Sequence, residues 1–194
     1  MTVIHFITHP EVVIDPSVPV PDWPLSAEGI GRMARALDRP WMRDLGAVFS
    51  SAERKAMDAA RMIADRFALL PTVMEELGEN DRSATGYLPK TEFEAVADAF
   101  FAHPERSVRG WERAADAQHR IVSAAERIFT AAPEKGDIAV VFHGGVGALL
   151  LCHLKGVPIS RAEDQPGAGG GNVFSVDAAS RTLLSGWRRI EDQG

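Results

Sequence analysis

Residues 137–156, DIAVVFHGGVGALLLCHLKG, decide the fold class of this chain. The apolar, β-branched run DIAVVF predicts a strand that is buried on both faces. The strand ends at His143, and Gly144 and Gly145 lead into an apolar run that predicts a helix. Backbone N–H groups at a helix start, together with the helix dipole, attract anions. The stretch therefore predicts a strand–helix unit with His143 and Gly144 at a ligand-binding edge.

A second strand ends in the same way near the start of the chain. Residues 2–7, TVIHFI, predict a buried strand, and His9 follows it closely. In parallel α/β sheets, ligands bind at the carboxyl ends of the strands. We therefore expect His9 and His143 to face one another across a pocket.

The remaining segments alternate between strand and helix patterns. Strands are predicted at 46–50 and 70–75, and a closing hairpin at 173–177 and 182–190. Ser26 caps a predicted helix over 27–37, Ser50 and Glu53 form a capping box before the next helix, and a longer helix is predicted from about Ser107 to Ala132. This order predicts a three-layer α/β/α fold whose mostly parallel sheet has an antiparallel edge. We assign residues 1–194 to a single domain.

The composition and charge argue against nucleic-acid and membrane partners. The chain has 194 residues and a formal net charge of −6, so we expect no nucleic-acid partner, because phosphate-backbone binding needs a basic face. The single Cys152 suits a reducing compartment. No signal peptide and no apolar run of membrane-spanning length is visible, so we predict a cytoplasmic protein without a membrane partner.

Five segments in order resemble the histidine phosphatase superfamily, in its phosphoglycerate-mutase-like branch. The Thr8-His9-Pro10 tripeptide stands where the family has Arg-His-Gly. The other four segments are PLSAEGIGRMARAL (24–37), SSAERKA (50–56), LGENDRSATG (77–86) and VFHGGVGALL (141–150). Together they extend over nearly the whole chain, and their order is more specific than any one of them.

The resemblance implies a role for three side chains. His9 would accept the phosphoryl group on a ring nitrogen, and His143 would contact the phosphoryl oxygens. Glu79 would protonate the leaving oxygen and then help to activate water. Covalent catalysis of this kind divides one difficult displacement into two easier ones. It implies a metal-independent phosphatase without a cofactor that acts on a small phosphorylated substrate, with a mutase as a less favoured reading.

The chain departs from the family pattern at the phosphate pocket. Thr8 replaces one arginine, Lys55 replaces a second, and Pro10 replaces a glycine. Asp15 stands where the family commonly has asparagine. Arginine holds two phosphoryl oxygens at once, which lysine cannot do. The pocket therefore needs other cations.

Three arginines are candidates for that replacement. Arg54 precedes Lys55, Arg82 lies on the same loop as Glu79, and Arg109 opens the segment RGWE. We favour Lys55 together with Arg82.

Two further readings stay open. A catalytically silent relative would bind a small anion or a protein partner, and an active enzyme could take a diester or a phosphoramidate. His9, His143 and Glu79 lack the close spacing typical of a metal site, so we expect no metal. The sequence predicts neither the substrate nor the oligomeric state.

Overall fold

Six strands form one sheet in the computed structural model, which describes residues 1–131, 135–167 and 169–192. The strands are β1 (Val3–Thr8), β2 (Leu45–Ser50), β3 (Pro71–Val73), β4 (Asp137–Phe142), β5 (Asn172–Asp177) and β6 (Leu183–Arg189). Their spatial order is β3-β2-β4-β1-β5-β6. Neighbours among β3, β2, β4 and β1 pair in parallel. β5 pairs antiparallel with both β1 and β6. The predicted mostly parallel sheet with an antiparallel edge is confirmed.

Helices cover both faces of the sheet. They are α1 (Ala27–Ala36), α2 (Arg54–Phe67), α3 (Lys90–Ala102), α4 (Ala114–Thr130) and α5 (Gly144–Lys155). One apolar core joins α3, α4 and α5 to one face, and a second joins α1 and α2 to the other. Because β1 and β4 lie between the two cores, most of their side chains are apolar on both faces, as a central strand requires. This confirms the three-layer α/β/α fold.

Helix starts show where local sequence patterns succeed and where they fail. The Ser26 hydroxyl accepts a hydrogen bond from Gly29 N–H, so the predicted cap of α1 is confirmed. The Ser50–Glu53 capping box is wrong, because Ser50 ends β2 and its hydroxyl donates to the Ser51 carbonyl. Glu53 is itself the N-cap residue of α2 and makes no side-chain cap.

The long helix predicted from Ser107 begins later than its pattern indicated. Arg109 and Gly110 both have positive φ, which a right-handed helix excludes, and α4 starts only at Ala114. The last described helical residue is Thr130, and the predicted end at Ala132 lies outside the described residues.

The pairing of β1 with β4 positions the histidines. Thr8 lies opposite Phe142 in a parallel register, so the residues that follow each strand emerge side by side. His9 N–H continues the ladder by donating to the Phe142 carbonyl at 3.1 Å. The fold thus brings together two histidines that are 134 positions apart in the sequence.

Candidate active site

His9 and His143 face each other at the carboxyl edge of the sheet. Their ring centroids lie 5.2 Å apart and the ring planes meet at 65°. His143 is buried, whereas His9 is partly accessible. This arrangement leaves the more accessible ring as the one that a ligand can reach first.

The His9 ring is held in one tautomer. Its Nδ1 lies 2.9 Å from the Pro10 carbonyl oxygen, which can only accept, so Nδ1 carries the proton. Burial lowers the pKa of His9 to about 4, although the bond to Pro10 opposes this shift. The ring is therefore neutral at pH 7, and Nε2 carries an unprotonated lone pair.

The His143 ring contacts a serine and a carboxylate. Its Nε2 lies 2.7 Å from Ser51 Oγ and 3.3 Å from Glu53 Oε1. Burial lowers the pKa of His143 to about 4, against the attraction of Glu53. The ring is therefore neutral at pH 7, and the adjacent carboxylate favours its protonation when a further negative charge arrives.

Glu53 links several of the charged groups at the site. It pairs with the Lys55 ammonium, and its Oε1 accepts from Glu79 N–H at 2.9 Å. Burial opposes its ionisation, but His143 and Lys55 hold the pKa of Glu53 at about 2. Glu53 is therefore ionised at neutral pH, and it cancels the charge of Lys55.

Lys55 is buried and already engaged. Besides its pair with Glu53, its Nζ donates to the Val20 carbonyl at 2.8 Å. An ammonium has three donors, so one remains for a ligand. Lys55 thus offers at most one hydrogen bond where a free arginine would offer a planar fork.

Thr8 belongs to a neutral hydrogen-bonded group. Its hydroxyl donates to Gln165 Oε1 at 2.7 Å and accepts from Asn172 N–H at 2.9 Å. The Gln165 amide in turn covers Gly144, where a Cβ would overlap it. The position of the missing arginine is therefore filled by an uncharged network.

Glu79 occupies the start of α5. Its Oε2 accepts from Gly145 N–H at 3.1 Å, and its Oε1 accepts from Val146 N–H at 3.0 Å. The sequence predicted that these helix N–H groups would receive an anionic ligand. A carboxylate of the chain itself takes the two bonds instead, beside the predicted ligand residue Gly144.

The three candidate arginines lie in different surroundings. The half-buried Arg82 stacks over the rings of Phe93 and Trp111, at 5.1 and 5.6 Å from their centroids. Arg54 is exposed on the first turn of α2. Arg109 is 49% exposed and pairs with Glu92 on the surface.

Asp15 does not point into the site. It is exposed, and its carboxylate accepts from the backbone and hydroxyl of Ser17. Those two bonds lower the pKa of Asp15. The Asp15 carboxylate therefore adds no negative charge to the histidine pair.

Two cavities adjoin the residues around the histidine pair, and Glu79, Asn80 and Arg82 line both. We call the first the aromatic cavity; it measures about 330 Å³ and has walls that include Phe93 and Trp111. The second, the acidic cavity, measures about 630 Å³ and is lined by the segment 19–21, by the loop region 78–83 with Gly86, and by Glu53 and Glu75. Volumes of this size suit small organic ligands.

Sequence reasoning missed three residues of this site. Glu53 was read only as a helix cap, Gln165 lies in no motif, and Asn80 was assigned no role within the segment 77–86. The signal for Glu53 was an acid between the Ser-Ser pair and Lys55, but its contact with His143 requires the β2–β4 pairing. Gln165 reaches Thr8 across 157 positions of sequence, which no local pattern indicates.

The described residues contain no group of three His, Cys, Asp or Glu side chains arranged to hold a metal ion. In the same residues, no helix is both long and apolar enough to cross a membrane.

Comparison with known proteins places this chain in a family. The histidine phosphatase superfamily (branch 1) matches residues 16–182, which is most of the chain. The matched region begins after His9, so the altered tripeptide 8–10 lies outside it. No match was found among curated proteins.

Solved structures share the fold. A mycobacterial glucosyl-3-phosphoglycerate phosphatase in complex with inorganic phosphate is 20% identical, with a TM-score of 0.78 over 99% of this chain and 100% of that one. YhfR of Bacillus stearothermophilus is 21% identical, with a TM-score of 0.74 over 94% of each chain. A putative α-ribazole-5′-P phosphatase of Escherichia coli is 18% identical, with a TM-score of 0.72 over 100% of this chain and 97% of that one.

A three-layer α/β/α fold with paired histidines after β1 and β4 defines a phosphoglycerate-mutase-like domain. With the family match, this chain belongs to the histidine phosphatase superfamily.

Proposed function

We propose that this protein is a metal-independent phosphatase that works through a phosphohistidine on His9. The observation that carries the proposal is the fixed tautomer of His9. With Nδ1–H donated to the Pro10 carbonyl, Nε2 keeps a free lone pair, and the centroid of this ring lies 5.2 Å from that of His143. A neutral imidazole of this kind is a nucleophile at pH 7.

The reaction has two steps. In the first, His9 Nε2 attacks phosphorus, an N–P bond forms, the P–O bond to the alcohol breaks, and the alcohol oxygen takes a proton. In the second, water attacks phosphorus and the N–P bond breaks, which releases inorganic phosphate and restores the neutral ring. Glu79 is our candidate for delivering and accepting the proton.

Hydrogen-bond donors for the phosphoryl oxygens come from three groups in this proposal. Lys55 supplies one hydrogen bond, Arg82 supplies a guanidinium from the adjoining loop, and His143 becomes protonated beside Glu53 when the phosphoryl group enters. Electrostatic stabilisation of this kind is worth about 10²–10³ in rate for each donor. The Thr8 position adds no charge, so we expect a modest phosphatase, with hydrolysis rather than phosphoryl retention.

The Thr8 network supports a second candidate function, a catalytically silent protein that binds an anion or a protein partner. The Thr8 hydroxyl already donates to Gln165 and accepts from Asn172, and Glu79 accepts from two N–H groups at the start of α5. These contacts remove donors that phosphoryl transfer would use. The buried single Cys152 suits the cytoplasmic location that we predict for either function.

Hydrolysis of p-nitrophenyl phosphate in the presence of EDTA tests the phosphatase proposal. We expect activity in the native protein, its loss in His9→Ala, and a fall of about a hundredfold in Arg82→Ala. Arg181→Ala, which removes a surface guanidinium paired with Glu126, is the control and should leave the rate unchanged. Quenching in alkaline SDS should trap a phosphohistidine, whose N–P bond is stable in alkali and labile in acid, in the native protein and none in His9→Ala.

The two candidate functions give different results. A native protein that forms no phosphohistidine and hydrolyses no ester, yet binds vanadate, is the silent protein. Activity that survives His9→Ala contradicts the assigned nucleophile.

A further inference from the structure

The acidic cavity carries an excess of negative charge beside the proposed phosphoryl site. Its walls include four carboxylates, Glu53, Glu75, Glu79 and Asp81, and one guanidinium, Arg82. Lys55 cancels Glu53 through their ion pair. Three carboxylates then face one arginine, so the cavity has a net charge of about −2.

Two of these carboxylates form no ion pair among the described residues, although Arg120 attracts Asp81 from a longer distance. Neither Glu75 nor Asp81 lies within 4.0 Å of a basic side chain in the described part of the chain, whereas the adjacent Glu76 pairs with Arg127. Hydrogen bonds from Ser83 lower the pKa of Asp81, so this acid is charged at neutral pH. The excess charge is therefore available to a ligand.

The aromatic cavity provides an internal comparison. Its charged lining residues are three acids, Glu79, Glu94 and Asp164, and three bases, Arg82, Lys90 and Arg161. The charges in that cavity balance. Negative excess is thus a property of the acidic cavity and not of the whole site.

Asn80 independently indicates a ligand. Asn80 is 6% exposed, it lines both cavities, and its Nδ2 has no hydrogen-bond partner among the described residues. An unsatisfied buried donor is costly. A phosphoryl or ester oxygen at this position would satisfy it.

The position of the cavity relates it to the reaction. Glu53 lines its wall and lies 3.3 Å from His143 Nε2, and Val20 lines it and accepts from Lys55 Nζ. A ligand whose phosphoryl group reaches His9 and His143 can therefore extend its leaving alcohol into this cavity, next to the carboxylates. The walls at Pro19 and Pro21 are apolar, which suits an alkylated rather than a strongly hydrated cation.

We propose that the preferred substrates are phosphomonoesters whose leaving alcohol carries a positive charge, such as the phosphate esters of amino alcohols. The cationic group lies in the acidic cavity near Glu75 and Asp81, and Asn80 donates to an oxygen of the phosphoryl end. Hydrolysis releases the free amino alcohol and inorganic phosphate. This inference rests on the proposed phosphatase function. In it, a positive charge on the substrate compensates for the arginines that the pocket lacks.

A pair of isosteric esters tests the inference. Phosphocholine and 3,3-dimethylbutyl phosphate differ only in the exchange of a quaternary nitrogen for a carbon. We expect kcat/KM of the native protein to be about tenfold higher for phosphocholine, since one partly screened charge pair is worth about that factor. The same preference should appear in the dissociation constants of His9→Ala, measured by calorimetry without turnover.

Charge-neutralising variants locate the effect. Glu75→Gln combined with Asp81→Asn should reduce the preference to about twofold or less. Glu76→Gln, which removes an acid outside the cavity, is the matched control and should preserve it. A rise in salt concentration should lower the preference in the native protein.

The outcomes separate the two proposals. Equal hydrolysis of both esters leaves the phosphatase standing and overturns the cationic preference. Tighter binding of phosphocholine by His9→Ala, with no hydrolysis of either ester by the native protein, overturns the phosphatase and supports the cavity assignment. A failure of both esters to bind, or a preference that the double variant retains, overturns the inference.

Discussion

The environment of His9 determines the pH range in which the proposed nucleophile is available. Its pKa is lowered to about 4 by burial, against an ordinary value of 6.5. A protonated ring has no lone pair at Nε2, so activity falls only when the pH drops through the lowered pKa. We expect the acid limb of kcat/KM near pH 4. Initial rates with p-nitrophenyl phosphate between pH 3.5 and 8 measure this limb, and a limb near pH 6.5 would contradict the tautomer and burial described for His9.

Glu53 should be important for stability as well as for the site. Glu53→Gln leaves the buried Lys55 ammonium without its carboxylate and removes the negative neighbour of His143. Breaking a buried pair from one side costs about 3–5 kcal/mol of unfolding free energy. Urea denaturation at pH 7 measures the loss.

Glu92→Gln is the matched control for Glu53→Gln. Glu92 pairs with Arg109 at the surface, where both side chains are about half exposed. Exposed pairs contribute little, so this variant should keep its stability. An equal, small effect of both substitutions would show that the buried pair does not stabilise the fold.

At the scale of the element, the two glycines of α1 should respond in opposite ways to the same substitution. A Cβ on Gly29 would overlap the carbonyl oxygen of Glu11, a backbone atom that cannot move aside. A Cβ on Gly31 would meet only the flexible end of Arg35, at 3.6 Å. Gly29→Ala should therefore lower the unfolding free energy by about 1–3 kcal/mol. Gly31→Ala should raise it by about 0.5–1 kcal/mol, because alanine is the better helix former.

Thermal and urea unfolding of both α1 variants check this prediction. The pair shares one helix and one chemical change, so differences in helix propensity cancel between them. Stabilisation by Gly29→Ala would show that the loop carrying Glu11 moves away from α1 at little cost.

Element boundaries show which part of the fold local sequence encodes. The apolar periodicity predicted α1, α2 and α5 and all six strands within a few residues, because a buried face requires apolar residues at a regular spacing. The start of α4 was missed because Arg109 and Gly110 adopt positive φ, which periodicity does not report. The Ser50–Glu53 box failed because pairing of β2 with β4 keeps Ser50 in the strand.

At the scale of the whole molecule, buried histidines should make the fold sensitive to mild acid. The pKa values of His5, His9 and His143 are each lowered by burial to about 4. Between pH 6.5 and 4 the unfolded chain binds protons that the folded chain does not, so stability falls as the pH falls. Urea denaturation at pH 7 and at pH 5 should give a lower unfolding free energy at pH 5.

A variant at His5 isolates one of these contributions. His5 lies away from the proposed site, bonded to Ser175 and near Asp137. His5→Asn removes one lowered pKa, so the dependence on pH should become shallower whatever the overall stability of the variant. An unchanged slope would mean that His5 takes up its proton in the folded state.

The sequence alone determined the layers of this protein, the two strand-end histidines and the family they indicate. Strand and helix patterns are local, and a histidine directly after a buried strand is set at the sheet edge by chain connectivity. The five ordered segments added the family, and the family match over residues 16–182 agrees with them.

The tertiary structure decided the charge of the site. Whether Lys55 is free or paired depends on Glu53 and on the carbonyl of Val20, and whether the start of α5 is open depends on Glu79, which lies 66 positions before Gly145. Such contacts join residues far apart in sequence, and their energies depend on distance and burial, which a linear pattern does not contain. The identity and order of the residues therefore predicted where the site lies. Only the fold determined which charged groups of the site remain unpaired and can bind a substrate.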